Sequence, residues 1–235
     1  MSMEERLAAA EAQIATLAHE LGRVQDLIAI RKLQHSYGFM MDKGLYDEVC
    51  DLFAPDGALH FMGGVWRSRD SVRRLYCGRL RESFTHGVNG PAFGMMCEHG
   101  LSQDVIDVAP DRQSAQARWR VFLVGGAHES KTDRNERLPL QWWEFGIYEN
   151  EYVRLDGVWM IKKLGYNLLL QADYETGWAH SPPLPSPFFT KTIDDDPLGP
   201  DYIESQPHKG WPETPLVPFH YLHPVTGKPI EAQKA

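Results

Sequence analysis

The chain is poor in cysteine: Cys50, Cys77 and Cys97 are its three, widely spaced and without a C-x-x-C pair. That spacing suggests neither a disulfide framework nor a zinc site, and a reducing cytoplasm is the expected setting. It also lacks long apolar runs. The opening MSMEERLAAAEAQIATLAHEL has no signal-peptide core, and no window reaches the roughly 18 apolar residues of a membrane span. A soluble, unprocessed protein with no membrane partner is expected. Positive charge is not in excess, because 24 Lys and Arg face 32 Asp and Glu for a formal charge of −8, which argues against a nucleic-acid partner. The local run Arg67, Arg69, Arg73, Arg74, Arg79 and Arg81 is interrupted by Asp70 and Glu82 and reads as a solvated helix face. There is no G-x-G-x-x-G, phosphate loop, H-x-H or H-E-x-x-H, so neither a nucleotide cofactor nor a metal is expected.

What the chain does have is a strong hairpin signal in GIYENEYVRLDGVWMIKKLGY, residues 146–166. Asp156-Gly157 favours the tight turn that matches strand twist, and the flanks are rich in strand formers. Along the first strand Tyr148, Asn150, Tyr152 and Arg154 share one face, a candidate lining for a polar pocket. Upstream, Leu7, Ala10, Ile14, Leu17, Leu21, Val24 and Ile28 recur at the three-and-four spacing of a heptad seam. Such a helix packs either on the chain's own core or on another subunit. Gly22 is placed to loosen its middle. The helical pattern resumes from Asp26 to Met41 and leaves Asp42 at a helix C-terminus, the unfavourable end of the dipole for a carboxylate. A reason is needed for that placement, and a carboxylate turned inward to hold a histidine is one.

A short helix from Leu45 to Phe53, a turn at Pro55-Asp56-Gly57, strands around Gly63-Gly64 and an amphipathic helix over 69–84 follow. THGVNGPAFGMM reads as an irregular loop over an apolar site, residues 97–108 and 114–125 as strands, and Gly126 to Pro139 as a polar loop. Twelve of the sixteen prolines lie after residue 181, among Trp178, Phe188, Phe189, Trp211, Phe219 and Tyr221. Proline forbids regular elements and aromatics are costly to leave in water, so an extended arm laid over a surface is expected. Three parts result: a heptad-patterned helix at 1–25, a core domain at 26–170 and a Pro/aromatic-rich arm at 171–235.

The order of these elements, with Tyr37 to Asp42, YDEVCDLFAPDGALHF, HGLSQDVIDV and the hairpin Tyr148 to Leu164, resembles the nuclear transport factor 2-like superfamily and its SnoaL-like group. The resemblance covers roughly residues 26 to 170. It implies an α+β cone-shaped barrel, in which a strongly curved antiparallel sheet wraps around helices and leaves a pocket at its open end. In scytalone-dehydratase-like members an aspartate ending the first long helix orients a histidine that begins a strand, and Asp42 and His99 match those positions. Where that dehydratase places tyrosines and a second histidine, this chain has Met41, Phe61 and Trp119, and Tyr148 falls near its asparagine position. Members commonly form dimers or trimers through the outer face of the sheet, so a homo-oligomer is expected, a trimer before a dimer.

A histidine titrates near neutrality, and a carboxylate beside it fixes its tautomer. Asp42, His99, Tyr148 and Arg154 are therefore the candidate catalytic residues. Tyr37, His60, Phe61, Trp119, Asn150 and Tyr152 are candidate substrate contacts, with Trp142, Trp143, Phe93, Met95 and Met96 as apolar walls. The chemistry expected is cofactorless acid–base work on a small aromatic substrate. Within the superfamily the chain looks similar to bacterial lyases of aromatic catabolism. These remove water and formaldehyde from lignin-derived phenolic diarylpropane diols, by way of a quinone methide, to leave a stilbene. The alternatives are a dehydratase or isomerase of a polycyclic or steroid-like substrate and a non-catalytic binding module.

Overall fold

A computed structural model describes residues 1–133, 140–185, 187–205 and 209–232. It opens on one 40-residue helix, α1 (Met3–Asp42), started by a capping box. The Ser2 hydroxyl accepts from the Glu5 amide at 3.2 Å and the Glu5 carboxylate accepts from the Ser2 amide at 2.6 Å, which satisfies two otherwise orphaned donors. The heptad stretch and the pattern from Asp26 onward are thus a single element, and Gly22 does not interrupt it. The face of α1 that packs inward carries Gly22, Asp26, Ile30, Gln34, Tyr37 and Gly38. The heptad seam is elsewhere: Leu7, Ile14, Leu17, Leu21, Val24 and Ile28 are 51–66% exposed. The seam does not pack on the chain's own core.

Next come α2 (Tyr46–Asp51), β1 (Phe53–Phe61) and β2 (Gly64–Trp66). A helix follows that runs from α3 (Arg69–Arg73) through a π-helical segment (Arg74–Leu80) into α4 (Arg81–Thr85). Four long strands complete the domain: β3 (Met95–Val108), β4 (Ser114–Ala127), β5 (Gln141–Leu155) and β6 (Val158–Asp173). The polar loop after β4 extends into residues 134–139, which lie outside the described residues. The expected hairpin is present, with Leu155 paired to Val158 across Asp156 and Gly157 at φ 49° and 82°, the type I′ geometry that an Asp-Gly pair favours.

With β7 (Tyr202–Ile203) the strands form one open seven-stranded sheet in the order β3-β4-β5-β6-β1-β2-β7. The α+β cone expected from the sequence is the observed fold, with two local differences. The sheet is not wholly antiparallel, since β1 runs parallel to β6; the helices and four strands between them supply the long crossover that a parallel pair requires. Pro55-Asp56-Gly57 is not a turn between elements but an irregularity inside β1, between the Phe53–Ile161 and Ala58–Lys163 pairs. The core fills the concave side, where Ile30, Val49, Phe53, Leu59, Trp66, Trp119, Ile161 and Leu164 are buried against one another.

The segment after β6 contains the short α5 (Gly177–His180) and then crosses the outer face of its own sheet. Arg74 and Arg79 pair with Asp201 and Asp196 of this arm, while Arg73 and Arg81 hold Asp47 at 3.2 and 2.8 Å. The arginine run is therefore not a bare solvated face; four of its members are tied to carboxylates. Farther along, Arg118 pairs with Glu149, donates to the carbonyls of Val217 and Pro218 at 3.0 and 2.6 Å, and lies 3.9 Å from the Phe219 ring centroid. Glu149 also accepts from His220 Nδ1 at 2.9 Å. Among the described residues no helix is long and apolar enough to cross a membrane.

Candidate active site

At the end of α1 the Asp42 carboxylate meets the start of β3. Its Oδ1 accepts from the His99 backbone amide at 2.9 Å and lies 2.6 Å from His99 Nδ1. Both side chains are closed off, at 4% and 8% exposure. Two donors offset the unfavourable helix terminus, and the imidazole is fixed with Nδ1 toward the carboxylate and Nε2 away from it. Burial pulls the His99 pKa down, but the Cys97 sulfur and the Asp42 carboxylate more than reverse this and raise it to about 10. His99 is consequently an imidazolium at neutral pH.

Strand register carries the site onward. His99 pairs with Leu123, Leu123 with Glu144 and Glu144 with Gln171, so the four lie on one row with their side chains on one face. Glu144, 6% exposed, accepts from Tyr166 Oη at 2.5 Å and from Gln171 Nε2 at 2.8 Å. Burial raises its pKa above the usual carboxylate range. Tyr166 reaches it by leaning across Gly146, where any Cβ would stand 2.3 Å from the ring. Sequence reasoning missed this acid. Its signal was parity: in WWEFGIYENEY, Glu144 has the same inward register as Tyr148, with aromatic neighbours on both sides.

A cluster of phenols adjoins this row. Tyr37 Oη and Tyr76 Oη are 2.9 Å apart, and the Tyr148 ring sits 6.0 Å from Tyr37 and 5.0 Å from Tyr166. Burial pushes the Tyr37 hydroxyl up to about 12 and those of Tyr76, Tyr148 and Tyr166 well above 10. They remain neutral hydrogen-bond donors at any physiological pH. Phe61 stacks on Tyr166 at 5.8 Å.

The structure thus gathers Asp42, His99, Tyr37, Tyr148 and Phe61, and it separates others. Arg154 shares the inward face of β5 but reaches Asp26 at 3.5 Å, sixteen residues before Asp42 on the same helix and so about 24 Å away along it. Asn150, Tyr152 and Trp119 are spent on a buried network in which Gln34 Oε1 accepts from Asn150 at 2.9 Å and Tyr152 at 2.7 Å, and Trp119 donates to Tyr152 at 3.1 Å. Such satisfied groups have little capacity left for a ligand. His60 faces outward, with Nδ1 2.9 Å from Glu204 of the arm. Phe93 and Met96 are 78% and 48% exposed, and Trp143 stacks on Tyr174 at 5.1 Å, whereas Trp142 is buried in the core. Only a residue's side of the pleat separates Trp142 from Trp143.

A cavity of about 420 Å³ lies on the opposite, outer face under the arm, bordered by His60, Glu149, Lys163, Asn167, Trp211 and His220. Neither Asp42 nor His99 borders it, whereas Phe61, Tyr166 and Gln171 do, so the cavity meets the Glu144 end of the row and not the Asp42–His99 pair. The acid–base geometry lies on the concave side, where His99 and the buried carboxylate of Glu144 share a row. The donor atoms of Asp42, Cys97 and His99 lie within 4.8 Å of one another, a set that zinc accepts. The 2.6 Å separation of Asp42 Oδ1 and His99 Nδ1 is nonetheless that of a charge-assisted hydrogen bond.

The fold has solved relatives. LinA superimposes with a TM-score of 0.53 at 18% identity, over 70% of this chain and 99% of that one. A candidate scytalone dehydratase from Novosphingobium aromaticivorans DSM 12444 gives 0.50 at 19%, over 65% and 89%. An NTF2-like protein with a cystatin-like fold from Novosphingobium aromaticivorans gives 0.50 at 19%, over 66% and 89%. At these identities the likeness is one of fold. No curated protein matches the sequence. Residues 10–165 match the model of the SnoaL-like domain, and the chain belongs to that family.

Proposed function

We propose that the protein is a cofactor-independent lyase that eliminates water and then formaldehyde from a phenolic diarylpropane diol. The observation that carries this reading is the row on which His99, locked by Asp42, faces Glu144 across one intervening strand. Two strand spacings separate their backbones by roughly 10 Å, with Leu123 on the strand between them, so an aryl ring would lie against Leu123 with an acid at one end and a base at the other. Buried aromatic rings around the row suit such a ligand.

The steps balance without an oxidant. Glu144 takes the phenolic proton while His99 Nε2–H protonates the benzylic hydroxyl, which leaves as water to give a quinone methide. His99, now neutral, takes the proton of the terminal hydroxymethyl group. The carbon–carbon bond breaks, formaldehyde departs, and the released electron pair restores the aromatic ring and forms the stilbene double bond. Glu144 returns its proton to the phenolate. Tyr148 and Tyr37, as neutral donors, stabilise oxyanion character as it develops. Burial raises the Glu144 pKa and so strengthens it as a base, while His99 enters as the imidazolium acid.

A second reading is elimination of water alone, supported by the likeness to the candidate scytalone dehydratase. Incubation with phenolic diarylpropane diols and polycyclic alcohols, followed by mass spectrometry, separates the readings. Equimolar stilbene and formaldehyde are expected, and Glu144→Gln is expected to lower kcat by about 10²-fold or more. Loss of water alone replaces the lyase with a dehydratase. An absence of turnover with every substrate favours a binding module.

A further inference from the structure

The first 21 residues of the chain are exposed throughout, and all but the first two belong to α1. About 28 Å of helix therefore stands clear of the body. An isolated helix of this length is marginal in water even with good helix formers. This one carries large apolar side chains on a face that none of the described residues covers. At 100° per residue, Leu7, Ile14, Leu21 and Ile28 with Ala10, Leu17 and Val24 centre on a direction nearly opposite to that of Asp26, Ile30, Gln34 and Tyr37. The helix has two apolar stripes: one enters the cone and the other faces solvent.

We propose that the outer stripe is a parallel coiled-coil seam that joins copies of this chain in register. A period of 3.5 residues maintained over more than three heptads is the pattern that a helix of the same kind covers, and a flat surface does not require it. Leu7, Ile14, Leu21 and Ile28 occupy a positions, and Ala10, Leu17 and Val24 occupy d positions. The charges beside the seam agree with a parallel alignment. Each g position faces the next e position of the neighbour, which pairs Arg6 with the partner's Glu11 and sets no like charges opposite each other. The area suffices as well. Six large side chains at 51–66% exposure offer roughly 100 Å² each, so two copies bury about 1,200 Å², the lower bound of a stable interface. The seam diverges from the active-site row, so assembly through it leaves the site of each copy unobstructed and does not depend on the reaction proposed above.

Light scattering on the full-length protein tests this. The wild type is expected at two or more times 26.8 kDa. Ile14→Glu combined with Leu21→Glu is expected to run as a 26.8 kDa monomer with unchanged near-ultraviolet circular dichroism, because both side chains are 60–66% exposed and stand outside the buried core. In a second measurement, Leu17→Cys is expected to cross-link copies under mild oxidation, beyond any background from the native cysteines, because in-register d positions meet their equivalents. A monomeric wild type, or an oligomer that survives the double substitution, overturns the seam. Oligomerisation lost on double substitution but without Leu17→Cys cross-linking overturns the parallel register.

Discussion

His99→Ala is expected to lower kcat/KM by about 10²–10⁴-fold, the range for loss of a positioned acid–base group, with the secondary structure unchanged. Turnover within a few-fold of wild type would end the assignment. A pH series adds an independent check. The folded-state pKa of His99, about 10, lies above the roughly 6.5 of an unfolded histidine, so the unfolded chain releases this proton first as pH rises. The stabilisation is complete below about pH 6.5 and is lost progressively as pH climbs toward 10. Thermal denaturation at stepped pH is expected to show this decline in the wild type. Asp42→Asn, which removes one of the two groups that hold the proton and leaves Cys97, is expected to make the decline shallower.

Asp42 is marked in the sequence by its awkward place, a carboxylate at a helix C-terminus, whereas His99 is singled out only by the resemblance to scytalone-dehydratase-like proteins, since a lone histidine in a strand carries no mark of its own. The hairpin was legible from Asp-Gly and alternation alone. Arg154 was misplaced for a physical reason. Alternation specifies which face of a strand a residue occupies but not how far along the cone it lies, and the inward face of β5 runs from Glu144 beside the site to Arg154 beside Asp26. The parallel placement of β1 was hidden because pairing partners more than 100 positions apart leave no local pattern. Glu144 shares the parity of Tyr148 four residues on, but nothing local to the sequence separates a buried carboxylate at that place from a solvated one.

Asp26→Ala is expected to be the most destabilising of the polar substitutions. The carboxylate, 4% exposed, accepts from Arg112 Nε at 2.5 Å and Trp159 Nε1 at 3.0 Å, with Arg154 at 3.5 Å. Its removal leaves a buried indole N–H and the Arg112 guanidinium without their acceptor, and Arg154 without its counter-charge. Breaking a buried ion pair costs about 3–5 kcal/mol; because both arginines reach solvent, about 3 kcal/mol is expected, a fall in Tm of roughly 6–12 °C for a chain of this size. Burial pushes the Asp26 pKa up, but the bonds from Arg112 and Trp159 and the charges of Arg112 and Arg154 outweigh it and hold it below the ordinary value. The contribution of Asp26 is therefore present above about pH 4 and lost as pH falls through the folded-state pKa, so wild type and variant should converge in acid. Arg154→Ala is expected to lower Tm less and to leave kcat unchanged, which distinguishes a clamp at the far end of the helix from a group in the site.

The parallel contact between β1 and β6 also constrains the order in which the molecule can be assembled. Phe53 meets Ile161, so β1 and β2 have no sheet to join until the hairpin more than 100 residues downstream has been made. On a ribosome, α1 and the two short strands emerge well before their template does. The four long strands, each antiparallel to its sequence neighbour, can zip as a local meander. Closure of the cone onto β6 is then expected to follow the meander, and until it occurs β6 presents an edge of unpaired N–H and C=O groups.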